Sequence, residues 1–164
     1  DAVGKQLTRN LHRDFYLAGR EWPYKNIPHR IIADKFLDDH TGTELRDYKF
    51  WCFNGNPKYM YCTIKGANVY ENFYDMDFNI APINHGFPRH KPEFEKPEKF
   101  EEMKKMAAIL SKGLPFVRVD FFQVEGHVYF GEFTFFDWGG HRPFASKEMD
   151  LELGKLMELP APIK

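Results

Sequence analysis

The sequence predicts an α+β domain, mostly antiparallel strands with a few helices covering one side. Three observations carry that expectation. Short runs of aromatic and β-branched residues flank tight-turn signals. Apolar residues recur at helical spacing near both ends and again after residue 97. No repeat, low-complexity tract or clear linker divides the 164 residues, so residues 1–164 read as a single domain with a real core.

In chain order, residues 1–19 have helical spacing, with Leu7, Leu11 and Phe15 on one face. Pro23 and Pro28 in "EWPYKNIPH" break that pattern. "RIIADKFL" (30–37) reads as a strand, and the polar stretch 38–43 with Gly42 as a loop. "LRDYKFWCF" (45–53) and "KYMYCTI" (58–64) are two strands, joined through "NGNP", where Asn54-Gly55 tolerates positive φ. "NVYENFYDM" offers another strand. Residues 79–96, rich in Pro and His, form a long loop, either a functional lid or a mobile segment. Phe100, Met103, Ala107 and Leu110 then define an amphipathic helix opening near Pro97 and closing at Lys112-Gly113. A hairpin follows with Glu125-Gly126 near its tip. A last helix, about 147–158, stops before Pro160.

Composition narrows the function classes. The formal net charge of -1 offers no basic field for nucleic acid. No apolar run reaches the roughly 18 residues of a membrane span. Cys52 and Cys62 could be strand neighbours but form no CxxC pattern, which fits reduced thiols in a cytoplasm. The seven histidines show no ligand spacing.

The hairpin "FVRVDFFQVEGHVYFGEFTFF" raises a chemical question, because Arg118, Asp120 and Glu132 sit inside an apolar run. Strand side chains alternate, so Arg118 and Asp120 share one face, and Glu132 and Thr134 share one face of the next strand. A three-residue loop, Val124-Glu125-Gly126, would bring the two sets together. A two-residue loop would separate them. The three-residue loop is favoured because Gly126 suits its left-handed position. Two carboxylates on one face repel, and a divalent cation relieves that repulsion. Mg²⁺ is commonly held by one or two carboxylates plus phosphate oxygens. Arg118 beside them could clamp a phosphate. An Arg–carboxylate ion pair on an exposed sheet face is the plainer alternative.

Beyond this chemistry, "VRVDFF" followed by "VYFGEFTF" resembles the metal-binding hairpin of the ATP-grasp superfamily. "EWPYKNI", "RIIADKFL", "GTELRDYKFWCFNG", "KPEKFEEM", "LSKGLPFVRVDFF" and "GEFTFF" together resemble the TupA-like ATP-grasp family, named for teichuronopeptide biosynthesis. The resemblance runs from about residue 21 to 160 and implies an ATP-grasp-like fold. It implies an ATP- and Mg²⁺-dependent ligase acting on a carboxylate and an amine or thiol, small molecules or polymers, through an acyl phosphate. It further suggests cell-surface polysaccharide or peptide-polymer synthesis. By the resemblance, Asp120 and Glu132 would hold Mg²⁺. Thr134 would join them, where many relatives have Asn. Arg118 would meet the transferring phosphate, and "DWGG" would approach the acyl phosphate through backbone N–H groups. Asp34, Lys35, Phe36 and Leu37 would read the adenine, although Ile31, Ile32 and Phe36 also suit an ordinary core strand. Asp47 would accept from ribose hydroxyls, Lys49 would meet phosphate, and Lys65 is a further phosphate candidate. For Asp47 and Lys49 an exposed ion pair is the alternative.

Family members carry an upstream strand with a phosphate-binding Lys and a Gly-rich loop. No "VKPNHGSGG"-like run occurs here, so the chain is expected to be the C-terminal part of a longer enzyme. The rival expectation is an inactive ATP-grasp-like domain that binds a saccharide or a protein partner through Trp22, Trp51 and Trp138. His85, His90 and His141 lie in loops, where solvated side chains are expected.

Overall fold

The computed structural model describes residues 1–38, 44–64 and 68–161. The chain divides into two compact units, Asp1–Leu37 and Asp38–Lys164.

In the first unit, helix α1 (Ala2–Leu11) starts where the Asp1 carboxylate accepts from Gly4 N at 2.7 Å. The helical spacing of residues 1–19 is realised as two helices. Asp14 Oδ1 accepts from Tyr16 N at 3.0 Å and starts a separate short helix, α2 (Tyr16–Gly19). Pro23 sits in a 3₁₀ turn, Trp22–Tyr24. The strand expected at residues 30–37 does not form, and the segment is irregular. Ile31, Ile32 and Phe36 are 52%, 76% and 86% exposed, so they are not core residues. The physical reason is pairing: a strand needs a neighbour for its backbone groups, and the regular elements of this unit are helical.

The second unit is a five-stranded, fully antiparallel sheet in the order β3-β2-β1-β4-β5. The strands are β1 (Asp47–Phe53), β2 (Asn56–Ile64), β3 (Tyr70–Asp75), β4 (Phe116–Val124) and β5 (His127–Thr134). Asn54-Gly55 makes the expected two-residue turn between β1 and β2, both residues with positive φ.

Alternation sorts the strands onto two faces. Phe50, Cys52, Met60, Cys62, Val117, Val119 and Phe121 lie on one face, under helix α3 (Phe100–Leu110) with its buried Phe100, Met103 and Ala107. Gln123 of β4 accepts from Lys99 N at 2.9 Å and fixes the start of α3 against the sheet. Both cysteines are free thiols in this layer, and burial pushes Cys52 up to about 11 and Cys62 up to about 12. The opposite face carries Trp51, Phe53, Tyr61 and Phe73, with Leu153 of helix α4 (Lys147–Gly154). Segment 79–96 is fastened along this sheet: Ala81 N donates to Phe73 O and Glu71 N to Pro88 O, at 2.8 and 3.1 Å.

The β4–β5 hairpin corrects one expectation and keeps its consequence. Val124 pairs with His127, so the loop is the two-residue Glu125-Gly126 turn, both residues at positive φ. Such a loop alone would have sent Glu132 to the far face. The register shifts once, because Phe121 faces Phe130 while Val119 faces Phe133. Asp120 therefore lies opposite both Gly131 and Glu132, a β-bulge. The extra residue restores the parity, and Arg118, Asp120, Glu132 and Thr134 share a face after all.

Gly131 makes the bulge possible. A Cβ there would stand 3.1 Å from Asp120 O and 3.1 Å from Phe122 Cε2. Gly131→Ala is expected to destabilise the fold by about 1–3 kcal/mol, the usual cost of overpacking. Urea unfolding measures this, and unchanged stability would show that the bulge does not need glycine.

Candidate functional site

The bulge places its carboxylate beside a row of polar side chains on the α4-side face. Lys49 of β1 stands between Tyr61 of β2 and Asp120 of β4 in register, and Trp51 pairs with Arg118. Lys49, Tyr61, Arg118 and Asp120 meet Asp47, Glu132 and Asp137 around an open cavity of about 590 Å³.

Arg118 is the hub. Its Nε donates to Asp120 Oδ1 at 2.8 Å and its Nη2 to Asp120 Oδ2 at 2.7 Å, a two-point fork. The same Nη2 donates to Glu132 Oε1 at 2.7 Å. Nη1 donates to Asp137 Oδ1 at 2.5 Å and to Tyr61 OH at 3.3 Å. Lys49 Nζ donates to Asp120 Oδ2 at 2.9 Å and also to Asp47 Oδ2. Thr134 Oγ1 donates to Glu132 Oε1 at 3.1 Å. Four carboxylates thus face two cations.

The protonation states follow from these contacts. Burial opposes the Arg118 charge, but hydrogen bonding to Asp120 and the nearby Tyr61, Asp120 and Asp137 outweigh it, so the guanidinium stays firmly charged. Burial raises the Tyr61 phenol well above its usual range, and the neighbouring Asp137 charge adds to the rise. Tyr61 therefore keeps its proton and donates to Asp137 at 3.0 Å. The Asp47 carboxyl is raised chiefly by burial; Lys49 pulls it down and Asp120 pushes it up. Its Oδ1 is buried and has no hydrogen-bond partner among the described residues.

Whether Mg²⁺ suits these residues can be judged from the donors. Among the described residues no group of three or more His, Cys, Asp or Glu is arranged as a ready-made cage. Mg²⁺ does not demand one, since it is usually held by one or two carboxylates with phosphate and water oxygens. The acidic excess, the hard oxygen donors and the orphaned Asp47 oxygen fit such an ion. Asp120 is already forked to Arg118 and bonded to Lys49, so a cation reaching it competes with both. Glu132 is the accessible member, its side chain 61% exposed.

The expected site residues fall into three groups. Arg118, Asp120, Glu132, Thr134, Lys49 and Asp47 are brought together. Asp34, Lys35, Phe36 and Leu37 belong to the first unit, with Asp34, Lys35 and Phe36 exposed in irregular backbone. Lys65 lies outside the described residues. The ion-pair alternative for Asp47 and Lys49 is half right, because the pair exists but Lys49 is buried.

Three features were missed. Asp137 lies past the end of β5, where strand alternation no longer predicts direction. Trp51 is buried and donates from Nε1 to Asp137 at 2.8 Å, so it offers no stacking surface. His85 is not solvated: it is buried among Trp51, Tyr61, Phe73 and Phe144, with Nδ1 3.2 Å from Glu71 Oε1. A signal for His85 existed in the inward-facing Glu71 of β3, which needs a buried partner.

An antiparallel sheet with helices, consistent with an ATP-grasp-like α+β fold, frames this cavity. The chain belongs to the TupA-like ATPgrasp family, whose model matches residues 2–158. Membership supports a general ATP-grasp, ligase-type function, and that class generally uses ATP and Mg²⁺. No curated protein and no solved structure matches the chain. No helix among the described residues is long and apolar enough to cross a membrane.

Burial of Asp47 makes stability depend on pH. A carboxyl whose folded pKa is raised adds stability that is full below about 3.8 and is lost as pH rises through the folded value. Relative to wild type, Asp47→Asn should therefore gain stability as pH rises from 3 to 7. Thermal melts of both proteins across that interval check this, and a variant that loses ground with rising pH would contradict it.

Proposed function

We propose that the chain is the Mg²⁺- and nucleotide-binding part of an ATP-dependent carboxylate–amine ligase of the cytoplasm, serving cell-surface polysaccharide or peptide-polymer synthesis. The observation that carries this reading is the convergence of Asp120 and Glu132 on one nitrogen of Arg118, at 2.7 Å each, beside an open cavity. Membership in the TupA-like family supports the reaction class.

In this reading Asp120 and Glu132 hold Mg²⁺, with Thr134 orienting Glu132 through its hydroxyl. The ion screens phosphate charge and offsets charge developing during transfer. Arg118, permanently charged and held by Asp120 and Asp137, presents to the transferring phosphate the Nη2 N–H that now meets Glu132, and a fixed donor of this kind needs no reorganisation during transfer. Lys49 adds a second positive charge on the same side, tethered between Asp47 and Asp120. Asp47, with a free oxygen, accepts from a ribose hydroxyl. Asp34, Lys35, Phe36 and Leu37 contact the adenine, and Lys65 meets phosphate. The substrates are a carboxylate and an amine, small molecules or polymers, and no nucleic acid is involved.

The test is calorimetry of Mg-ATP binding to the full chain. Glu132→Gln, at an exposed position, and Asp120→Asn, close in shape, should each weaken binding by about tenfold or more. The melting temperature of Glu132→Gln should stay near the wild-type value. Unchanged affinity in both variants would refute the metal assignment. Glycan binding without nucleotide would favour the inactive saccharide-binding alternative.

A further inference from the structure

Arg118 is held differently on its two sides. Nη2 reaches Glu132, an exposed side chain that solvent or a ligand can displace. Nη1 reaches Asp137, whose side chain is only 8% exposed. Asp137 is itself locked from the interior: Trp51 Nε1 donates to its Oδ2 at 2.8 Å and Tyr61 OH at 3.0 Å. Trp51 and Tyr61 are buried in the aromatic layer and stack edge-on, 5.8 Å apart.

The backbone is unusual at this carboxylate. Asp137 opens a 3₁₀ turn in which Trp138, Gly139 and Gly140 all have positive φ, at 51°, 66° and 72°. A left-handed conformation is strained for a tryptophan, and such strain persists only where surroundings enforce it. Here Arg142 lies 4.9 Å over the Trp138 ring, and Phe87 packs 5.7 Å from it. Asp137 lies three residues past the end of β5, and its side chain reaches Arg118.

We infer that Asp137 is the positioning residue of the site: it anchors the inner nitrogen of Arg118, so that the outer nitrogen exchanges Glu132 for a phosphate oxygen without loss of aim. The phosphate half of this inference rests on the function proposed above. The anchoring half does not.

The anchoring is tested by NMR on the isotope-labelled full chain, which measures rotation of the Arg118 guanidinium about Cζ–Nε. Arg118→Lys identifies the signal by its loss. Rotation should be slow in the wild type and about tenfold faster in Asp137→Asn. Trp51→Phe and Tyr61→Phe each remove one donor to Asp137 and should give smaller accelerations, so the inference stays open to refutation if Asp137→Asn does not fold. Unchanged rotation in Asp137→Asn, or in both aromatic variants if it does not fold, overturns it.

The phosphate half is read from the ratio of Mg-ATP to Mg-ADP affinity. Asp137→Asn should lower that ratio, and in the Arg118→Lys background it should add no further loss, because it acts through Arg118. An additional loss in that background overturns the claim that Asp137 acts through Arg118. Faster rotation with the ratio unmoved in Asp137→Asn and in Arg118→Lys leaves the anchor standing and removes the phosphate role of Arg118, a failure of the proposed function alone.

Discussion

A buried guanidinium is the constraint from which the rest of this sheet face follows. Removing Arg118 from water is costly unless every edge of its fork meets an acceptor. Asp120 comes from its own strand, Glu132 from the next strand through a bulge, and Asp137 from the turn beyond. Deleting one partner of an isolated buried pair typically costs about 3–5 kcal/mol, whereas loss of the exposed Glu132 leaves Arg118 paired with Asp120 and Asp137. The network is thus a local structural necessity as well as a chemical resource. Its excess of carboxylates over cations is what makes a divalent ion a natural further member.

The sheet divides its labour between two faces. Under α3 the packing is apolar, and the two thiols there are held in their neutral form by burial. On the other face the aromatic layer of Trp51, Tyr61 and Phe73 is apolar below and offers one indole N–H and one phenol O–H upward. Those two donors fix Asp137, and Asp137 fixes Arg118. Side chains mounted on adjacent strands keep their geometry better than side chains mounted on loops. That rigidity links the packing to the chemistry proposed for the cavity.

Much of this was legible in the sequence, for identifiable reasons. Asn54-Gly55 announces its turn because few residues accept positive φ twice in succession. Phe100, Met103 and Ala107 announce α3 by their spacing, and all three are buried. The common face of Arg118, Asp120 and Glu132 was reached through two offsetting errors, a loop one residue too long and an unforeseen bulge. Gly131 in "YFGEF" looks like any strand glycine, and only the close approach of Asp120 O reveals its purpose. Ile31, Ile32 and Phe36 imitate a strand because propensity is local, whereas pairing depends on neighbours. Asp137 and His85 escaped because both lie outside regular strands, where direction comes from tertiary packing.

The central claim is that a divalent ion joins Asp120 and Glu132 at the bulge. Paramagnetic Mn²⁺, added with a non-hydrolysable ATP analogue to the labelled full chain, tests it directly. Amide signals should broaden most steeply at residues 118–120 and 131–134. Broadening centred elsewhere, with those signals untouched, would contradict it.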